Sequence, residues 1–345
     1  MTSDLVTSGG RELAPADLLA RLGQAADRVA ARYTFDGYQA RKADNTLRRQ
    51  RADLAIFAAY LAEAGAIPGD LAGDPEAWRG VSRGLVAGFV EWLLLRGYAV
   101  GSVNVRLSTV KTYAGLAAGA GTLDPDALTM IKTLRGYSHK EAQRVNERRD
   151  LAEVPTRTGA KKAQPAALTP DQARALKARP DTPQGRRDLL LVCLFLDHGL
   201  RVGEVAGLTV GAFDLKRGEL CFYREKVDKV QTHRLTADAL AAARAYLAQD
   251  APPLGPLWRA SCKDGRVTEQ GMTARRISER VRALGLAVGV AGLSAHDLRH
   301  YWATQAARAG TPIDRLQDAG GWASPAMPLH YVEAAKIANQ GVLLG

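Results

Sequence analysis

Ser294-Ala295-His296-Asp297-Leu298-Arg299-His300 sets an imidazole and a guanidinium three residues apart. Ser294 and Asp297 have the spacing of a capping box, so a helix should begin here. His296 then falls in its first turn, where backbone amides point outward and bind anions, and Arg299 follows on the same face. The pair could cradle a phosphate, although a capped helix with incidental basic residues reads the same way. In Asp197-His198-Gly199-Leu200-Arg201-Val202-Gly203-Glu204, a glycine ends one helix and Arg201 opens the next. Glu204, three residues on, can hold the guanidinium, but alone this is also an ordinary helix corner with an ion pair. A third segment, Gly320-Gly321-Trp322, is followed by Leu329-His330-Tyr331-Val332. It offers an indole donor and a phenol. Taken singly, such a Tyr is usually structural, and His330 has no evident task.

The elements that must carry these residues follow from apolar spacing and caps. From Thr46, Leu47, Leu54, Phe57, Ala58 and Leu61 fall on one helical face, and Gly65 and Pro68 end it. A helix from Ser82 carries Leu85, Val86, Phe89, Val90, Leu93 and Leu94 and stops at Gly97. Another follows Ser102, and a fourth opens at the Asp124-Pro125 cap. Residues 36–137 thus read as a small helical bundle. Residues 1–35 are Ala-rich, with Leu13, Leu18, Leu19 and Leu22 suited to one short helix in a tail without an assignable role. Residues 138–165 are polar, without an apolar stripe, and read as a linker. From Lys132 to Lys162, nine Lys/Arg face four acids, a net of +5. The bland reading is solvation. The sharper one is a linker crossing phosphates, with Arg144, Arg148, Arg149, Lys161 and Lys162 as backbone contacts. From 166 to 345 the pattern turns mixed. A helix is capped by Thr169-Pro170-Asp171, and a long one runs from Arg186 to His198-Gly199. A hairpin pairs Glu219–Arg224 with Gln231–Leu235, and helices dominate to the end. The fold class is mostly α with a small antiparallel β-sheet, that is, α+β.

At 345 residues, two domains are expected. A formal net charge of +11 favours a polyanionic partner, since Lys and Arg gain affinity by releasing counterions from phosphates. Charge alone does not choose among DNA, RNA and an anionic membrane. The longest apolar run, Leu189 to Leu196, is far short of the roughly 20 residues of a membrane span. Met1 to Gly10 lacks a basic segment followed by an apolar core, so no secretory signal is expected. Cys193, Cys221 and Cys262 lack metal or redox spacing and read as reduced thiols of a cytoplasmic protein. No cluster of carboxylates suggests a metal site, and no phosphate-binding Gly-rich loop suggests ATP; no cofactor is expected.

Together the three segments resemble the tyrosine recombinase, or phage integrase, family. Arg201 with Glu204 looks like its first arginine box, and His296 with Arg299 like its His-x-x-Arg box. Trp322 lies nine residues before Tyr331, the family spacing between a His or Trp and the nucleophile. Lys226, in the hairpin turn, matches the catalytic lysine by position. The turn lacks the common Gly-Lys-Gly, so Lys229 is a rival. The resemblance covers 166–337 strongly and the bundle weakly. The stretch Leu316–Trp322 looks especially like the Cre subgroup, which carries Trp where most members have a second His.

The resemblance implies that 36–137 is a DNA-binding domain and 166–345 the catalytic domain with a C-terminal tail. It implies a Tyr331 nucleophile, a 3′-phosphotyrosyl intermediate, Lys226 as acid toward the leaving 5′ oxygen, and no ATP. It further implies a clamp on double-stranded DNA at a specific site, and a homotetramer working through a Holliday junction in the cytoplasm, at the nucleoid. Arg201 and Arg299 suit the non-bridging oxygens, Trp322 adds a donor, and His296 is the best base candidate. Val332 to Gly345 carries apolar residues that could dock on a neighbouring subunit or pack on their own domain. Two other readings stay open: a type IB topoisomerase-like nicking-closing enzyme and a catalytically idle DNA-binding regulator.

Overall fold

The computed structural model describes residues 15–158, 165–262 and 264–335. The chain divides into two units, Met1–Ala163 and Gln164–Gly345. Lys161, Lys162 and residues 336–345, with most of the expected apolar tail, lie outside the described residues.

The first unit is helical. Its elements are α1 (Pro15–Gln39), α2 (Asp44–Glu63), a 3-10 turn (Pro75–Trp78), α3 (Arg83–Leu95), α4 (Val100–Gly119), α5 (Pro125–Lys132) and α6 (His139–Leu151). The chemistry of the caps sets several boundaries. Ser82 accepts from the Leu85 N–H, and Asp124 from those of Asp126 and Ala127. The core is built of rings. Phe57 meets Phe89 edge-on at 4.9 Å, and Trp78 stacks on Tyr113 at 6.4 Å. The Trp78 indole N–H donates to the Leu71 carbonyl, so the ring is buried without stranding its polar atom.

Two expectations change here. In place of one short helix in residues 1–35, α1 runs from Pro15 to Gln39, with Leu19, Leu22, Val29 and Tyr33 exposed and Phe35 sunk into the core. The polar stretch after 138 is not an irregular linker through 151. Ser138 and Glu141 form a reciprocal capping box, and Ala142 and Val145 of α6 pack on the core.

The second unit runs α7 (Pro170–Lys177), α8 (Pro183–Leu196), α9 (Val202–Ala206), β1 (Phe213–Asp214), β2 (Glu219–Arg224) and β3 (Lys229–Arg234). It continues with α10 (Ala237–Gln249), β4 (Arg259–Ser261), β5 (Val267–Gly271), α11 (Ala274–Ala287), α12 (Ala295–Arg308), α13 (Ile313–Gly320) and α14 (Ala326–Ala335). The apolar run of α8 is buried all round, packed by α10 and α12, as a helix hydrophobic on every side requires. The strands β1-β2-β3 form one antiparallel sheet, with Phe222 opposite Gln231 and Arg224 opposite Lys229. A second hairpin, β4-β5, stands where helices were expected. Its strands are three and five residues long and interrupted by a register shift, too short for alternation to announce them. Among the described residues, no helix is long and apolar enough to cross a membrane.

Candidate active site

One short stretch of backbone, residues 319–321, gathers three guanidinium groups. Helix α13 ends there, and its last carbonyls have no partners within the helix and carry the negative end of its dipole. Arg201 Nη2 donates to the Gly321 carbonyl at 2.8 Å. Arg224 Nη2 donates to Ala319 at 2.6 Å and its Nη1 to Gly320 at 3.1 Å. Arg299 Nη2 donates to Gly320 at 2.6 Å, and its Nη1 to the Gly199 carbonyl. Gly321 is left-handed (φ +58), and a Cβ there would stand 2.5 Å from Arg224 Cδ, so this close approach requires glycine.

Negative charge is scarcer. Arg201 is the N-cap of α9; Glu204 Oε2 accepts its backbone N–H at 2.8 Å, and Oε1 accepts Nη1 at 2.7 Å. The same carboxylate takes Arg224 Nη1 at 3.1 and 3.2 Å. Both recorded hydrogen-bond partners of the buried Arg299 guanidinium are carbonyls. Burial first, and then the charges of Arg201 and Arg224, push its pKa down to about 9 against the pull of Glu204 and Tyr331. Glu204 pairs with two of the three cations and Arg299 rests on carbonyls, a balance that an arriving anion would correct.

Aromatic and imidazole rings border the arginines. The Arg299 guanidinium lies 4.4 Å from the centre of the Trp322 ring, which stacks on Trp302 at 6.0 Å. The Tyr331 ring, buried on α14, is 5.8 Å from Trp322 and 5.3 Å from His300. Burial raises the Tyr331 pKa above the usual phenol value, and Arg299 opposes this. Helix α12 begins at Ser294, whose hydroxyl accepts the Asp297 N–H while Asp297 accepts the Ser294 N–H. His296 therefore sits in the first turn. Burial and then Arg299, with Lys226 and Arg201 behind it, hold the imidazole below its usual range, and Asp297 pulls the other way.

The hairpin carries the two candidate lysines. Lys226 is exposed in the 3-10 turn Glu225–Val227, which Asp228 closes in the left-handed region. Lys229 Nζ is bound to Asp318 at 2.9 Å. Among the described residues Lys226 has no ion-pair partner, and its charge bears on His296. The structure brings Arg201, Glu204, Arg299, Trp322 and Tyr331 together, with His296 and Lys226 beside them. His330 is exposed, its ring 5.9 Å from that of Tyr331.

The basic contacts expected on phosphate divide. Arg144 and Arg148 are exposed on α6. Arg149 is not available: it is buried, and its Nη atoms donate to the carbonyls of Tyr98 and Pro155.

Arg224 was missed in the sequence, as were Gln231, His300 and Trp302. Arg224 had a signal. Leu220, Phe222 and Arg224 alternate on the buried face of β2, and an arginine in an apolar register must have a charged or carbonyl-rich partner.

Residues 166–337 match the model of the phage integrase family. Tyrosine recombinase XerD of Neisseria meningitidis serogroup B is 29% identical over 221 residues, 63% of this chain and 74% of that protein. Tyrosine recombinase XerC of a Roseiflexus species is 26% identical over 296 residues, 82% and 81% of the two chains. Among solved structures, the Tn1549 transposon integrase in complex with transposon right end DNA superposes with a TM-score of 0.59 at 15% identity, covering 87% of this chain and 94% of that one. A lambda integrase dimer bound to a core site gives 0.56 at 14% identity, covering 91% and 95%. These two likenesses are of fold, which is that of the integrases. With the family model lying over all three catalytic-type segments, the chain belongs to the phage integrase family and is a tyrosine-type site-specific recombinase.

Proposed function

We propose that the chain cleaves and rejoins double-stranded DNA at a specific site through a 3′-phosphotyrosine on Tyr331. The observation that carries this is the cluster of three guanidinium groups with one carboxylate, set beside a buried tyrosine. A five-coordinate phosphorane gathers charge on its non-bridging oxygens, and fixed donors of this kind lower its energy without reorganising. Arg201 and Arg299 donate to those oxygens, and Trp322 adds its indole N–H. The Tyr331 oxygen attacks phosphorus as its proton passes to His296, the bond to the 5′ oxygen breaks, and Lys226 protonates that oxygen. Ester replaces ester, so rejoining is the same step reversed and no ATP is consumed.

Strand exchange would take a homotetramer through a Holliday junction, in the cytoplasm at the nucleoid. The relatives named above are a XerD and a XerC protein. A Cre-like placement rests on Trp322 and its flanking residues alone. The supporting experiment incubates the full chain with genomic fragments, sequences the DNA trapped on it, and rebuilds that site as a suicide duplex. A covalent adduct absent from Tyr331→Phe is expected, followed by joining of two partners. An adduct without joining would mark a nicking-closing enzyme of the type IB topoisomerase kind. DNA binding with no adduct would mark a regulator.

A further inference from the structure

His300 lies one turn beyond His296 on α12, and their Nε2 atoms are 3.0 Å apart. The rings are nearly perpendicular, with centroids at 4.5 Å. On its other side, His300 meets the Tyr331 ring in a T-shaped contact at 5.3 Å. Two imidazole nitrogens at hydrogen-bond distance hold one proton between them, so the contact fixes the tautomer of both rings. It cannot survive when both rings are charged. Burial first, and then Arg299, Lys226 and Arg201, disfavours charge on His296; burial first, and then His296, His330 and Arg299, disfavours it on His300, while Asp297 favours it on both. His300 thus joins His296 on one side to the Tyr331 ring on the other.

We propose that His300 is a positioning residue: it accepts a hydrogen bond from His296 Nε2, packs on Tyr331, and so commits His296 Nδ1 to taking the phenolic proton. The inference rests on the reading of His296 as the base. Uptake of the Tyr331 proton at Nδ1 turns His296 into an imidazolium, and its Nε2–H bond to His300 becomes charge-assisted and stronger. His300 would thus act toward His296 as a buried carboxylate acts toward a catalytic imidazole, fixing tautomer and orientation, but without adding negative charge beside an incoming phosphate.

Two measurements test this. In the isotope-labelled full chain without DNA, NMR of the histidine ring nitrogens at neutral pH should show His296 as a single Nε2–H tautomer, and His300→Phe should turn it into a mixture. A wild-type His296 protonated at Nδ1 overturns the proposal, whatever any variant does. On the suicide duplex, His300→Phe should slow adduct formation about tenfold, part of the roughly 10²–10⁴-fold that a general base supplies. DNA affinity should not change. His300→Gln, whose amide oxygen can accept the same hydrogen bond, should restore most of the rate. Equal slowing in the Phe and Gln variants overturns the proposal. If the wild-type chain forms no adduct, the recombinase reading fails instead, and the tautomer spectrum still decides the histidine contact.

Discussion

The two units differ in how deeply they bury charge. The first is packed on rings: Phe35, Phe57, Trp78, Phe89 and Tyr113 are each almost wholly inaccessible. The second buries charge more deeply: Arg187, Asp188 and Arg224 are wholly inaccessible and Arg299 is 3% exposed, against 6% and 7% for Asp53 and Arg149 of the first. A buried charge without compensation costs several kcal/mol, so each needs partners. Asp188 takes both Arg187 and Arg280, and Glu204 takes both Arg201 and Arg224. Compensation stops at Arg299, held by two carbonyls. The first unit spends its interior on cohesion. The second holds Arg299 on the Gly199 and Gly320 carbonyls, and the proposed chemistry would bring an anion there.

Matched substitutions should break the contrast if it is wrong. Trp78→Ala removes a ring from the centre of the first unit and should cost about 3–5 kcal/mol of its stability. Arg299→Lys keeps the charge but gives up the planar fork that reaches both Gly199 and Gly320. It should slow adduct formation on the suicide duplex by about 10²–10³-fold while moving the unfolding midpoint little. The pair is read by denaturant unfolding and single-turnover cleavage. Loss of stability in the arginine variant as large as in the tryptophan one would show that the second unit, too, uses its buried charges chiefly for cohesion.

The same contrast explains what was legible in the sequence. Periodicity and caps reveal elements that bury apolar faces, so α2, α3 and α5 could be read nearly to the residue. Two of the three chemical segments were placed by local rules: a capping box fixes His296 and Arg299 on α12, and a helix corner fixes Arg201 and Glu204; Trp322 and Tyr331 were legible only through the family spacing. Their convergence on residues 319–321 was not, since it depends on the C-terminus of α13 meeting a strand and two helices distant in sequence. Arg224 is the plainest case. Its meaning lies in Ala319 and Gly320, about 95 residues away. Helix α6 was hidden for a different reason: few apolar residues hold it, and much of its anchorage is a capping box and the buried Arg149.

Acid should separate the units. Five of the six histidines lie in the second, and two are deeply placed there. Burial holds His198 down to about 4; burial together with the charge of Arg224 holds His233 down to about 3. In the unfolded chain both protonate near the ordinary 6.5. Below that value the unfolded state binds more protons, so stability is complete above it and falls as pH drops toward the folded values. The loss should reach about 2 kcal/mol for each imidazole by about pH 5. Thermal unfolding at neutral and mildly acidic pH should show the second unit weakening, and His233→Gln should remove about half of the loss. An unchanged pH response in that variant would remove His233 from the account.

The smallest effect bears on α6, whose arginines differ in what they are free to do. Arg144 and Arg148 are exposed and available to phosphates, whereas Arg149 is committed to the Tyr98 and Pro155 carbonyls. Each phosphate contact releases condensed counterions and contributes about 0.9 to the slope of log affinity against log salt. Arg144→Gln and Arg148→Gln should each flatten that slope by about one, weaken binding to all sequences alike, and leave the first unit's unfolding midpoint in place. Arg149→Gln should do the reverse: it strands two carbonyls that the guanidinium had satisfied, a loss of about 1–3 kcal/mol in stability, and leaves the salt slope as it was. Salt titration of binding and urea unfolding on the three variants decide the matter. A flattened slope in Arg149→Gln alone would mean that α6 turns its buried arginine outward on DNA, and that the first unit, like the second, keeps a buried cation in reserve for phosphate.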